Sequence, residues 1–272
     1  MVTKRQKRSA KRLKNITKQR PKYPDLITKV VENSDIVLEI LDARFIEDTR
    51  NKEIENKIEK QGKKIIYVLN KSDLVKNLKK TELKELKNYV TVSCKNRKGI
   101  KELRDKIKLH SKKIEKDDRI VVGVIGYPNT GKSSLINLLI GKASAKTGAE
   151  AGFTKGLQKL KLTAGIVLLD SPGVIPKKEY SSAEGEAIAR HTKVGGRSHS
   201  QVKHPDMIVA RLIKEFPNTF EKFYKIKANG NSEFLIEKLG RKKGFLKKGN
   251  KVNEDKTARL IIKDWQDGKI EI

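Results

Sequence analysis

The sequence predicts an α/β domain built on a mainly parallel six-stranded sheet, followed by a smaller, mainly helical domain. Three observations carry this expectation. Six short runs, at 36–41, 65–69, 89–92, 120–125, 157–162 and 166–169, are nearly continuous in apolar residues, as strands covered on both faces are. Helical patterns fall between most of them, and strands alternating with helices argue for parallel pairing. After Pro176 the strand signal fades and amphipathic helical spacing takes over.

In chain order, helices are expected at 26–31 and 51–60, flanking the first strand. A short helix is expected at 82–87. Ile100, Leu103, Ile107 and Ile114 stripe one face of a longer one. A helix at 133–140 follows a glycine turn. Only residues 163–165 separate the last two strands, so that pair reads as a hairpin. Beyond it, 207–216 and 257–265 read as helices, with Ala258, Ile261, Ile262 and Trp265 sharing a face of the second. The expected division is an arm at 1–24, the α/β domain at 25–176 and a basic helical domain at 177–272, with no internal repeat.

Composition narrows the function. The 272 residues carry 63 Lys+Arg against 33 Asp+Glu, a formal charge of +30. Such an excess points to a polyanionic partner, nucleic acid before anionic membrane. At 36%, apolar residues suffice for a core. No apolar run approaches ~18 residues, so a spanning helix is not expected. A single cysteine, Cys94, excludes an intrachain disulfide and zinc sites built on several cysteines. The basic amino terminus has no apolar stretch behind it, so no secretory signal is indicated. The expectation is a soluble, monomeric protein of the cytoplasm.

The charge is unevenly spread. Residues 1–24 contain ten Lys or Arg and no acidic residue. Such a block has little to bury and reads as a disordered arm. It is either a solubilising tail or an RNA-binding arm whose contacts would be salt-dependent. Residues 221–250 hold nine basic and three acidic side chains, interleaved with Phe223, Tyr224, Phe234 and Phe245. These aromatics are expected to form a small core beneath a solvated basic face. His191, His199 and His204 lie close in sequence, but no carboxylate or cysteine spacing supports a metal site there.

Residues 126–133, Gly-Tyr-Pro-Asn-Thr-Gly-Lys-Ser, match G-x-x-x-x-G-K-[ST] between an apolar strand and a helix. That is the context a phosphate-binding P-loop requires. The glycines let backbone N–H groups face a polyphosphate, and the helix amino terminus adds a favourable dipole. Lys132 would neutralise the β- and γ-phosphates, and Ser133 would supply a hydroxyl to Mg²⁺. Asp170-Ser-Pro-Gly173 closes a later strand. Its carboxylate can hold Mg²⁺, usually through water, and the Gly173 N–H can sense a γ-phosphate.

Asn70-Lys71-Ser72-Asp73 follows the second strand and reads guanine. Asp73 can accept from the ring N–H and the exocyclic amine, a donor pair that adenine lacks. Asn70 is expected at the base edge, with the Lys71 stem over the ring. Ser93-Cys94-Lys95, after the third strand, fits a loop whose backbone N–H meets the guanine oxygen. Cys94 reads as a packing residue rather than a nucleophile.

The motif order is inverted relative to an ordinary GTPase, where the P-loop precedes N-K-x-D. Circular permutation explains it, and permutation is tolerated where the original termini lie close. The fold class is therefore a circularly permuted P-loop GTPase domain with a helical appendage. This order, with Asp42-Ala43-Arg44 before the base site, resembles the YlqF/YawG family of circularly permuted GTPases. So do 240–246 (Gly-Arg-Lys-Lys-Gly-Phe-Leu), Ala258-Arg259 and 264–270 (Asp-Trp-Gln-Asp-Gly-Lys-Ile).

The resemblance implies GTP/GDP and Mg²⁺ as cofactors, K⁺ as a candidate, and action in assembly of the large ribosomal subunit, with its rRNA and ribosomal proteins as partners. It implies nucleotide contacts from Asn70, Lys71, Asp73, Ser93, Cys94, Lys95, Asn129, Thr130, Gly131, Lys132, Ser133, Ser134, Thr154 and Gly173. Ser133, Thr154 and Asp170 would serve the metal, and Lys132, Thr154, Gly173 and Asn129 the reaction. Thr154 matches the switch threonine, with Thr147 as runner-up; Ala151 stands where the family often has proline. Asn129 matches the asparagine of potassium-stimulated members, and loop bracing is its alternative role. Val174 stands where many GTPases orient water with glutamine, so slow intrinsic hydrolysis is expected. The amino-terminal histidine of bacterial members has no counterpart before His110. A different class stays open, an RNA-binding scaffold with GTP as a structural ligand; a membrane-bound GTPase ranks last.

Overall fold

A computed structural model describes residues 22–78, 83–141, 157–171, 173, 191–196 and 198–271. The six expected strands form one sheet: β1 (Ile36–Asp42), β2 (Lys64–Asn70), β3 (Tyr89–Thr91), β4 (Ile120–Gly126), β5 (Gln158–Lys161) and β6 (Ile166–Asp170). Their spatial order is β3-β2-β1-β4-β6-β5. Every neighbouring pair is parallel except the β5–β6 hairpin. β1 lies centrally and all its residues are buried, which explains an apolar run interrupted only by Glu39.

Alternate residues of β1 serve different layers, as the two-residue period requires. Ile36, Leu38 and Ile40 join a core with α4 (Ile100–Ser111) and α5 (Lys132–Ile140). Val37 joins a second core with α1 (Lys22–Glu32) and α3 (Lys52–Lys60). A short α2 (Ile46–Thr49) precedes α3. Asn51 caps α3 by accepting from the Ile54 N–H, which fixes the helix start where the sequence placed it. α1 begins earlier than the expected 26–31. Pro24 is tolerated in its first turn, where N–H groups have no intrahelical acceptor. Of the helix expected at 82–87, only residues 83–84 are helical among the described residues.

The carboxy-terminal part contains the two expected helices, as α6 (Pro205–Glu215) and α9 (Glu254–Gln266). Between them lie α7 (Thr219–Tyr224), α8 (Ser232–Lys242) and a hairpin of β7 (Leu246–Lys247) and β8 (Lys251–Val252). Their common core differs from expectation. Of Phe223, Tyr224, Phe234 and Phe245 only Tyr224 is buried, whereas Phe223 is 39% and Phe234 43% exposed. The core is built instead from Phe220, Trp265 and aliphatics including Leu212, Leu235, Ile261 and Ile262. The helical periods put those residues inward and leave Phe223 and Phe234 outside. Trp265 stacks on Phe220 at 5.3 Å.

This core does not stop at the α/β sheet. Phe45, which follows β1, and Tyr127, in the P-loop, belong to the same cluster. The Phe45 ring lies 5.8 Å from Trp265. No described helix is long and apolar enough to cross a membrane.

Candidate nucleotide site

β4 delivers the chain into the P-loop. Gly131 takes φ 96° immediately before α5, and a Cβ there would overlap the Asn70 amide. The phosphate loop and the base motif thus touch. Lys132, buried, donates from Nζ to the carbonyls of Gly126 (3.0 Å) and Tyr127 (2.7 Å). Burial pulls its pKa down to about 8, against the opposing attraction of Asp170.

Asp170 ends β6, in register with Val124 of β4. It is 1% exposed, and among the described residues neither carboxylate oxygen accepts a hydrogen bond. Burial pushes its pKa up to about 6, with Lys132 pulling the other way. A buried carboxylate without partners is costly, and a bound hard cation would remove that cost. With the Ser133 hydroxyl at the head of α5, the oxygen donors fit Mg²⁺. Ser171 Oγ donates to the Val124 carbonyl (2.7 Å), fixing the exit from β6. Gly173 lies against the P-loop so closely that a Cβ would meet Pro128 Cα at 2.8 Å and Lys132 Nζ at 3.0 Å. That approach requires glycine.

The base end is bonded internally. Asp73 accepts from Ser93 Oγ (2.6 Å), and the same hydroxyl accepts from the Asn96 N–H (3.0 Å). Ser93 therefore aims the carboxylate that the sequence assigned to guanine. Asn70, expected at the base edge, lines the cleft beside Asp73 and is bonded to the loops around it. Its amide donates to the Thr130 carbonyl (2.7 Å) and accepts from the Cys94 N–H (3.2 Å). The residue ties three loops together, and its polar atoms are already engaged. The Cys94 N–H is engaged with it, which leaves Lys95 as the exposed member of that loop. Burial pushes the Cys94 thiol up to about 11, in keeping with packing rather than nucleophilic chemistry.

Lys71, in left-handed backbone at φ 61°, anchors its ammonium on Asp42 at 2.8 Å. Asp42 also takes Arg44 in a two-point contact, Nε at 3.0 Å and Nη2 at 2.8 Å. Burial alone would raise the Asp42 carboxyl, but Lys71 and Arg44 hold it well below the usual range. In the sequence, Asp42-Ala-Arg44 carried only the resemblance; here it braces Lys71.

The base motifs and part of the P-loop line one cleft of about 500 Å³, a size suited to a small-molecule ligand. Asn70, Lys71, Asp73, Cys94, Lys95, Asn129, Gly131 and Ser134 face it. Thr130 is buried beneath the loop, donating from Oγ1 to the Tyr127 carbonyl. Asn129 Nδ2 donates to the Gly195 carbonyl (2.7 Å), the bracing alternative. Gly195, His199, Lys263, Gln266 and Asp267 also line the cleft. The sequence singled out His199, Gln266 and Asp267, but none of the five as a nucleotide-site residue; they lie more than sixty residues from the P-loop. His191 packs edge-on against Tyr127, and His204 precedes α6 as its N-cap. No three His, Cys, Asp or Glu side chains among the described residues group as a metal site. Thr154, Thr147, Ala151 and Val174 lie outside the described residues.

Comparison with known proteins agrees with this geometry. A family described as 50S ribosome-binding GTPases matches residues 121–228. An uncharacterized GTP-binding protein of Methanocaldococcus jannaschii is 42% identical over 248 residues, covering 90% of this chain and 65% of that protein. Nuclear GTP-binding protein NUG1 of Saccharomyces cerevisiae is 33% identical, over 94% of this chain and 56% of its own length. Among solved structures, GDP-bound YlqF of T. maritima superposes with a TM-score of 0.63 at 26% identity, covering 89% of this chain and 94% of that one. The chain thus spans roughly half to two thirds of the length of the curated relatives it matches.

Fold and site together define a circularly permuted P-loop GTPase domain with a helical unit behind it. The chain belongs to the YlqF/YawG family of circularly permuted GTPases.

Proposed function

We propose that this protein binds GTP with Mg²⁺, hydrolyses it to GDP, and acts as a nucleotide-switched factor in assembly of the large ribosomal subunit. One observation carries the reading. The guanine-reading carboxylate of Asp73 and part of the P-loop line a single cleft, with Gly131 packed on Asn70. Ribosomal action is supported by the family matching residues 121–228.

In this reading Asp73, aimed by Ser93, accepts the two guanine N–H donors. Lys71 covers the ring, while Asn70 holds the loops in register. Lys132 exchanges its loop carbonyls for the β- and γ-phosphates. Mg²⁺, held by Ser133, Thr154 and, through water, Asp170, supplies charge neutralisation at the phosphates. Gly173 and Thr154 sense the γ-phosphate. Asn129 is the candidate potassium ligand, through its amide oxygen.

The chain is proposed to divide as a basic arm at 1–24, a GTPase domain at 25–176 and an RNA-binding domain at 177–272. Gly173 leads directly toward the helical unit, so an order–disorder change there can set that unit's angle. Its RNA face is supported by the end of α8 and the β7–β8 hairpin. There Lys242, Lys243, Lys247, Lys248 and Lys251 are exposed beside Leu246.

The test is GTP turnover in potassium and in sodium buffer, with and without large ribosomal subunits of the source organism. Multiple turnover that rises with subunits supports the cytoplasmic assembly GTPase. GTP bound without turnover in any condition favours the scaffold that holds it as a structural ligand. Turnover that subunits leave unchanged, with no co-sedimentation, removes the ribosomal assignment.

A further inference from the structure

One wall of the cleft comes from none of the nucleotide motifs. Lys263, Gln266 and Asp267, at the end of α9, and His199 lie along it. Three separate ties fix this wall. Arg44, paired with Asp42, donates Nη1 to the Trp265 carbonyl (3.1 Å), and the same Asp42 holds Lys71. One buried carboxylate therefore connects the guanine lysine to the end of α9. Gly268, in left-handed backbone just past the helix, sits against Leu74, and a Cβ there would overlap that side chain. Gln266 donates to the Thr192 carbonyl (2.8 Å) and accepts from the His199 N–H (3.3 Å). Asn129 of the P-loop meanwhile donates to Gly195.

The wall faces a definite part of the cleft. The lining includes Asp73 and Lys95 of the base motifs, Asn129 and Gly131 of the P-loop, and Ser134 of the first turn of α5. Lys132, Ser133 and Asp170, which would serve the outer phosphates and the metal, are not in it. An exposed ammonium, Lys263, is the cation this wall presents, and it forms no ion pair among the described residues. Burial and the neighbouring Lys263 lower the pKa of His199, which keeps that ring neutral near pH 7 and leaves Lys263 the wall's cation, beside the exposed carboxylate of Asp267.

We infer that the end of α9 is part of the nucleotide site, with Lys263 contacting the ribose and α-phosphate of a bound guanine nucleotide. This rests on the reading that the cleft binds such nucleotides. Because the contact involves groups common to GDP and GTP, either nucleotide holds the helical unit against the α/β unit. By linkage, that unit contributes equally to the affinity for both. The contact at the end of α9 thus reports whether the cleft is filled, and the GTP-specific shift of the helical unit comes separately, from the γ-phosphate sensed at Gly173.

Titration calorimetry of GDP and of GTPγS against the full chain tests the inference. Lys263→Ala is expected to weaken both by the same factor, about tenfold for one charge-assisted contact. Lys263→Arg should restore most of the loss. Amide exchange across 191–196 and 254–268 should slow equally with GDP and GTPγS. A loss confined to GTPγS, unchanged affinity for both, or exchange that GDP leaves unaffected would each overturn the inference. If the wild-type chain binds neither nucleotide, the guanine reading falls with it. Tight wild-type binding with an inert Lys263→Ala removes the inference alone.

Discussion

The base motifs and the phosphate loop are built on opposite principles. At the base end Asp42, Lys71 and Asp73 each have a protein partner. Asp42 holds Lys71 and Arg44, Asp73 accepts from Ser93, and Asn70 bonds on both sides of its amide. At the phosphate end, Asp170 is buried without a hydrogen bond among the described residues, and Lys132 donates to loop carbonyls. A satisfied site is rigid before the ligand arrives, which favours discrimination. A site with unbalanced charge gains most when ligand charge arrives, which favours affinity and switching. In the function proposed here, specificity therefore sits at the prebuilt end, and response at the unsatisfied one.

The largest break in this comparison is Lys132→Ala. It removes the cation that answers the outer phosphates and leaves Asp170 facing them uncompensated. Two charge-assisted contacts of ~2 kcal/mol each amount to roughly a thousandfold loss in GTP affinity. The loss should be much smaller for guanosine, which reaches only the base end. Equal losses for GTP and guanosine would mean that the variant damages the fold rather than the phosphate contacts.

Asp73→Asn probes the other end. Asparagine can offer guanine only one acceptor and sets an amine against its donors. The expected cost is about a hundredfold in GTP affinity, as for a site left with unpaired polar groups. The same amine can donate to the 2-oxo group of xanthine, so xanthosine triphosphate should bind the variant better than GTP does. Competition between the two triphosphates reads this directly, and an unchanged preference would refute the guanine assignment.

The difference between the ends also explains what was legible in the sequence. Motifs at fixed spacing on one strand–loop–helix unit, such as 126–133, could be read together with their chemistry, and the strand runs gave the sheet. Ser93, Asn70 and Asp73 were legible as residues, but their division of labour was not. That Asn70 braces while Ser93 aims depends on loops brought together from 70, 93 and 130, which no local pattern encodes. Lys263, Gln266 and Asp267 were illegible as nucleotide-site residues for the same reason. Helical periodicity shows α9 an inner and an outer face, not the cleft that its last turn reaches. The exposed Phe223 and Phe234 were misplaced because aromatic content was taken for burial, when their position around the helix decides it.

A pH titration sharpens the phosphate end. The folded value of Asp170, about 6, lies above its ordinary value of 3.8. The folded chain therefore holds this proton longer than the unfolded chain does. The stability this lends the ligand-free protein is present below about pH 4 and is lost as pH rises through 6. Mg²⁺ should reverse the dependence, because it needs the ionised carboxylate. Mg²⁺-dependent GTP affinity should rise about fivefold from pH 5 to pH 6, reach about tenfold by pH 7 and level off above it, and Asp170→Asn should flatten the profile. A flat wild-type profile would mean that Asp170 is already ionised throughout.

Cys94→Ala should have the smallest effect, and it tests how far the base end depends on side chains rather than on loop shape. The thiol packs partly buried at the edge of the sheet core, so its loss should cost about 1 kcal/mol in urea unfolding. What the site uses at this position is the backbone N–H that donates to Asn70, and alanine keeps it. GTP affinity should therefore change less than about threefold, under the ~0.7 kcal/mol that such a factor represents. With its pKa raised to about 11 by burial, the thiol is also almost wholly protonated near neutrality, and alkylation at pH 8 should be slow. A tenfold loss of affinity in Cys94→Ala, with unfolding unchanged, would move this residue from support into direct contact with the base. The base end would then depend on a side chain where the geometry gives it only backbone.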